Sequence, residues 1–147
     1  MSTLRELLGG AAKRGAVLDD ALHVLDAEVD AKSGLSGLAV KTAYKVVKGV
    51  SPDFLRRAVD HLLDDFLDAL DPMYQEAVRK GTEPRQQLVS NPPRVAELLL
   101  GITDARAARA QNQVVKKTYE KLRDGAKKHV EAAVPRLGDM LARQVGN

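Results

Sequence analysis

Two aspartate–histidine pairs stand four residues apart, Asp19/His23 and His61/Asp65. On a helix that spacing places two potential ligands on one face toward one ion. Two such pairs facing each other would build a two-histidine, two-aspartate metal site. Stepping about 100° per residue argues against it. Asp19, His23, Asp26 and Asp30 cluster opposite Leu18, Leu22 and Leu25, and His61, Asp64 and Asp68 lie opposite Leu55, Val59 and Phe66. Metal sites in helical bundles project inward from core positions, so these residues read as solvated faces, and no metal or other cofactor is expected. The adjacent Asp64 and Asp65 diverge around the helix and cannot serve one substrate as acid and base. There is no G-x-S-x-G elbow, phosphate loop or dinucleotide fingerprint, and the chain has no cysteine for thiolate chemistry. An enzyme is therefore not expected.

Basic residues offer other chemistry. Arg106, Arg109, Lys116, Lys117, Lys121, Arg123, Lys127 and Lys128 crowd one stretch, with Glu120 and Asp124 interspersed. On one continuous helix, Arg106, Arg109, Lys116, Arg123 and Lys127 would form a stripe able to follow phosphates. The alternative is a solvated face that neutralises neighbouring acidic helices. With five aromatic residues in the chain, stacking platforms for single-stranded nucleic acid are few. A second cationic segment, SGLSGLAVKTAYKVVKGVSP at 33–52, carries Lys41, Lys45 and Lys48 and no acid. On a wheel the lysines lie opposite an arc of Ala39, Val40, Ala43, Val46, Val47 and Val50. Interfacial membrane helices usually carry larger apolar side chains. The small ones here predict close packing against other helices, with membrane or partner docking as the alternative.

These segments need elements to position them, and the chain reads as all-α. It has no sustained period-two alternation and no Asn-Gly or Asp-Gly turn. Thr3 and Glu6 match a capping box, placing a first helix near Leu4 that weakens at Gly9-Gly10 or Gly15. A second helix is expected over about 16–31. Ser51-Pro52 should cap and start a helix carrying Leu55, Val59, Leu62, Phe66 and Leu70 inward, and Asp71-Pro72 should start another that ends at Gly81. Residues 81–93, GTEPRQQLVSNPP, are the best candidate for a long loop dividing the N-terminal helices from the rest. A short helix should follow over about 93–100 until Gly101, then a long one over about 104–133, kinked or restarted at Pro135. Val115, Tyr119, Leu122, Ala126 and Ala133 form its apolar stripe, interrupted at His129. The expectation is one domain over 1–147, a compact bundle of about six helices with a long, proline-interrupted C-terminal helix.

The net charge of +3 hides strong patterning. Residues 1–31 carry three bases against six acids, 32–52 four against none, and 53–78 two against seven. Residues 79–103 carry four bases against two acids, and 104–147 ten against five. Blocks of opposite sign lying against one another would cancel within the fold, so overall basicity says little about partners. No apolar run approaches the ~20 residues that span a bilayer. The N-terminal MSTLRELLGGAAKRG interrupts any secretory signal with Glu6 and a double glycine, which predicts a cytoplasmic protein.

The run SGLSGLAVKTAYKVVKGVSPDFLRRAVDHLL, 33–63, resembles a segment of small bacterial helical proteins with no assigned activity. The resemblance implies an all-α domain and a bacterial source, and it transfers no functional residue. Together these readings predict a non-enzymatic interaction or scaffold module whose partner is another protein or a second copy. The alternatives are nucleic acid or another polyanion bound along 106–128, and peripheral membrane attachment through 35–50. No small-molecule substrate is expected.

Overall fold

The computed structural model describes residues 2–51 and 53–146 and contains seven α-helices and no strand among them. Helix α1 spans Leu4–Leu8, α2 Ala11–Ala31, α3 Gly34–Lys48, α4 Phe54–Lys80, α5 Pro84–Val89, α6 Pro92–Ala108 and α7 Gln113–Gly146. The all-α expectation holds, with one helix more than the six or so anticipated. Buried apolar residues from six helices form one cluster: Leu4 and Leu8 of α1, Val17 and Leu18 of α2, Leu63, Leu67, Leu70 and Met73 of α4, Leu88 of α5, Val95 of α6, and Val134 and Leu141 of α7. Helix α3 contributes none of them.

The capping box of α1 is present, with the Glu6 N–H donating to Thr3 Oγ1 at 3.2 Å. Helix α2 begins at Ala11 and runs through Gly15, earlier than the 16–31 expectation. Helix α4 begins at Phe54, with Asp53 at its N-cap position, so Ser51 does not cap it. Ser51 Oγ instead accepts from Arg57 Nη2 at 2.9 Å. The expected role of Pro52 lies outside the described residues.

Four breaks expected from proline and glycine do not occur. Helix α4 passes through Pro72, because Leu63, Leu67 and Leu70 before it and Met73 and Ala77 after it bury one continuous side. Tertiary packing thus outweighs the hydrogen bond that the proline removes. Gly81, at φ +69°, ends the helix as a left-handed cap that glycine adopts without strain. Residues 81–93 are not a long loop. They contain α5, whose Gln87 and Leu88 are buried, and Arg85 of this helix lies so close to Gly138 of α7 that a Cβ there would stand 3.1 Å from Arg85 Cγ. Helix α6 runs through Gly101, held inward by Val95, Ala96 and Leu100 on its preceding turns. Helix α7 likewise passes Pro135 without restarting.

One break lies where none was expected. Residues 109–112 separate α6 from α7, so no helix runs from 104 to 133. Asn112 Oδ1 accepts from the N–H groups of Val114 at 3.0 Å and Val115 at 3.2 Å, the geometry of an N-terminal cap. Helix α7 is about 50 Å long at 1.5 Å per residue, and its buried residues, Val134, Gly138, Leu141 and Gln144, all lie in its C-terminal half. The stripe of Val115, Tyr119, Leu122, Ala126 and Ala133 is only half-buried.

Candidate functional site

The aspartate–histidine pairs do not converge. Asp19 is paired with Arg56 of α4 at 2.5 Å, and Asp65 with Arg106 of α6 at 3.4 Å. No group of three or more histidine, aspartate or glutamate side chains among the described residues is placed to hold a metal ion. His23 instead borders a polar groove of about 270 Å³ between α2 and α7 that also holds Asp20, Arg136, Asp139 and Arg143. Arg143 and Gln144 both donate to Asp20. Burial pushes the Asp20 carboxyl up, but those hydrogen bonds outweigh it and hold the group below its ordinary value. Nearby, the buried Glu28 is clamped between Lys32 at 3.1 Å and Arg136.

The eight basic residues separate into two groups. Arg106 lies on α6 and Arg109 at its C-cap, while the others lie on α7, so the single phosphate-following stripe is not formed. Arg123 makes a bidentate pair with Asp104 at 2.7 and 3.0 Å, and Lys127 pairs with Glu97 at 3.1 Å. Arg109, Lys116, Lys117, Lys121 and Lys128 have no carboxylate partner among the described residues. Lys117, Lys121 and Lys128 follow i, i+4, i+11 spacing along one exposed arc, with Asp124 among them.

Helix α3 is a peripheral helix, not a wall of the core. Only Gly37 is buried: a Cβ there would meet the Lys32 backbone carbon at 2.7 Å, so the α2–α3 turn requires glycine. Val40, Ala43, Tyr44 and Val47 are half-buried on the inward arc. Tyr44 Oη donates to Asp26 of α2, and burial followed by that bond pushes the phenol well above its ordinary value. Lys48 sits 3.8 Å from the same Asp26 and 4.9 Å from the Tyr44 ring centroid. The outward arc differs from the expectation, because Val46 points to solvent and leucines stand beside it. Leu35 is 90% exposed, Leu38 61% and Val46 45%. Lys41 and Lys45 flank them, exposed and without a carboxylate partner among the described residues.

A cleft of about 510 Å³ opens between the start of α4, the end of α6 and the start of α7. Its apolar lining comes from Phe54, Ala58, Leu62, Ala107, Ala110 and Val115, and His61, Thr103, Arg106, Arg109 and Tyr119 supply its polar atoms. Tyr119 Oη lies 2.5 Å from Asp104 Oδ1 and 2.7 Å from Thr103 Oγ1. Arg123, then Tyr119, hold the Asp104 carboxyl below its ordinary value. Burial, then the bond to Asp104, pushes the Tyr119 phenol up. The network joins the end of α6 to the start of α7 with every hydroxyl and the carboxylate engaged. It clamps the two helix ends together.

Across nearly its whole length, residues 4–145, the chain matches the Family of unknown function (DUF6918). The chain belongs to that family. The resemblance to proteins without assigned activity, drawn from residues 33–63, therefore extends over the entire fold of this DUF6918 protein. No curated protein and no solved structure matches the chain.

Sequence reasoning missed the cleft of the DUF6918 chain. Its space is left by Ala58 and Ala107 on helices and Ala110 in the break between α6 and α7, and alanine carries no mark in sequence that distinguishes a void from close packing. The available signal was Asn112, a residue of strong N-cap preference inside an otherwise helical pattern. Reading it as a cap would have ended α6 early and exposed the α6–α7 corner where the cleft opens. Among the described residues no helix is long and apolar enough to cross a membrane.

Proposed function

We propose that this chain is a non-enzymatic docking module that attaches to an anionic lipid surface through α3. The observation that carries this reading is the outward arc of Leu35, Leu38 and Val46 beside Lys41 and Lys45. Scattered exposed leucines need no explanation. Here, however, they share one face with cations that have no carboxylate partner among the described residues, the pattern of an in-plane interfacial helix. The inward valines and alanines hold α3 on the protein body, which leaves the leucine arc for the acyl boundary.

Magnitudes support reversible attachment. Full burial of a leucine side chain is worth about 1.5–3 kcal/mol, and each lysine near an anionic surface about 1 kcal/mol. Two partly inserted leucines and two lysines give about 5 kcal/mol, corresponding to dissociation constants of roughly 0.1–1 mM. Such binding rises and falls with lipid composition and salt.

Co-sedimentation with vesicles of phosphatidylcholine alone, and of phosphatidylcholine mixed with phosphatidylglycerol, tests the reading. Binding should require the anionic lipid and be lost in Leu35→Ser/Leu38→Ser and in Lys41→Gln/Lys45→Gln. Equal binding to both vesicles, or none to either, sinks it. Self-association of the wild type that the leucine variant abolishes would instead assign α3 to a protein partner or a second copy.

The arc of Lys117, Lys121 and Lys128 favours a second reading, weak binding to nucleic acid or another polyanion. Asp124 within the arc reduces its potential. Duplex DNA should bind at low ionic strength and release steeply with salt, and a Lys117→Gln/Lys121→Gln/Lys128→Gln variant should not bind. Salt-independent or absent binding rejects this reading.

A further inference from the structure

We propose that the cleft between α4, α6 and α7 binds an amphipathic organic anion, an apolar chain ending in one carboxylate. None of its lining residues belongs to α3, so the inference stands apart from membrane attachment. At about 510 Å³ the cleft falls within the range of roughly 300–1,000 Å³ typical of small-molecule sites. Phe54, Leu62 and Val115 supply apolar walls, and Ala58, Ala107 and Ala110 leave the space between them.

The polar groups select the ligand's other end. Thr103 and Tyr119 already satisfy each other and Asp104, so the floor calls for no hydrogen bond from a ligand. Asp104 is occupied by Arg123 and Tyr119, and no lining residue is acidic. Two lining residues are permanently cationic. Arg106 reaches Asp65 at 3.4 Å and the His61 carbonyl at 3.1 Å. Arg109 donates to the Ala105 carbonyl of its own helix at 3.4 Å and has no carboxylate partner among the described residues. A guanidinium with this donor capacity beside an apolar cavity matches a carboxylate and opposes an ammonium.

Titration of isotope-labelled protein with decanoate, decanol and decylammonium, followed by amide chemical shifts, tests the proposal. Decanoate should produce saturable shifts at Phe54, Ala58, Ala107 and Ala110, with decanol weaker and decylammonium weakest. Arg109→Gln should weaken decanoate about five- to tenfold while leaving decanol unchanged within about twofold. Ala107→Phe should remove both by filling the cleft, and Ala110→Leu provides a smaller filling variant should the first fail to fold. Overturning results are decylammonium or decanol binding as tightly as decanoate, shifts centred elsewhere, or no saturable binding in the folded protein.

Discussion

Asp71 lies in the middle of α4, yet its carboxylate accepts the Leu4 N–H of α1 at 2.9 Å, sixty-seven residues away. Helix α1 is five residues long and cannot sustain itself. It persists because Leu4 and Leu8 enter the core and because its first donors find partners: Thr3 takes the Glu6 N–H and Asp71 the Leu4 N–H. Leu4 is fully buried, so loss of its acceptor leaves a donor poorly reached by water. Cap removal costs about 0.5–2 kcal/mol and loss of a charged hydrogen bond about 1.5–3 kcal/mol, so Asp71→Ala should cost about 1.5–2 kcal/mol. For a chain of this size that lowers Tm by about 3–8 °C. Asp71→Asn keeps an acceptor and should lose less than half as much. Thermal melts followed by circular dichroism measure both, and amide exchange of Leu4 reports the site directly. Asp68→Ala, which removes the exposed Arg5–Asp68 pair, is the control and should cost less than about 1 kcal/mol. A Tm for Asp71→Ala within about 1 °C of wild type refutes the reasoning. So does faster exchange at 73–80 with Leu4 unchanged, the signature of an Asp-Pro cap acting on its own helix.

Glycine substitutions should divide by environment. Gly15→Ala and Gly101→Ala meet open space inside helices and should each stabilise by about 0.5–1 kcal/mol in urea unfolding. Gly37→Ala drives a Cβ into the Lys32 backbone and should destabilise by about 1–3 kcal/mol, loosening α3 first in hydrogen exchange. Arg136→Ala leaves buried Glu28 with Lys32 alone and should cost about 1–3 kcal/mol, discounted from a fully buried pair because Arg136 is half-exposed. Adding Glu28→Gln should restore part of that loss. Burial, then the charge of Lys32 at the C-cap of α2, holds the His129 imidazole below its ordinary value, with Ser36 Oγ of α3 3.2 Å from Nε2. A depressed value favours the neutral ring in the fold, so this contribution is complete above about pH 6.5 and is lost as pH falls through the folded value. Stability measured from neutral to mildly acidic pH should fall less steeply in His129→Gln, and equal slopes would reject the assignment.

Local signals with a local partner were legible. The Thr3/Glu6 capping box reads directly from sequence because both partners lie within one turn. Charge alternation was legible as well: Lys48 of the basic 32–52 block pairs with Asp26, and Arg106, Arg136 and Arg143 of the basic 104–147 block pair with Asp65, Glu28 and Asp20 of the two acidic blocks. Opposite blocks therefore do lie against one another. Punctuation misled where the residue sits beside buried positions of its own helix, Pro72 between Leu70 and Met73, Gly101 after Leu100 and Pro135 after Val134, since packing of the helix face exceeds the local penalty. Asp71 shows the limit most clearly. Asp71-Pro72 signalled a helix start that does not occur; the residue lies inside α4, and its carboxylate instead takes the first donor of α1, distant in sequence. The wheel placed Val40, Ala43 and Val47 of α3 inward and its lysines outward, but tertiary contacts set the rotation that leaves Ala39 and Val46 facing solvent.

Both candidate surfaces follow from how α7 is divided. Its C-terminal half, through Val134 and Leu141, belongs to the core that joins six helices. Its N-terminal half has no fully buried residue and is held by polar contacts, Tyr119 and Arg123 to Asp104 and His129 beside Ser36. Polar clamps of this kind fix geometry without filling volume, so the α4–α6–α7 corner keeps its cleft and α3 keeps an outward leucine arc. Occupying either surface requires no apolar residue to leave the core. Local opening at this end should accordingly cost less than global unfolding, because few fully buried side chains resist it. Ligand or lipid contact would then order the N-terminal half of α7 and α3 while the cluster around Met73 remains unchanged.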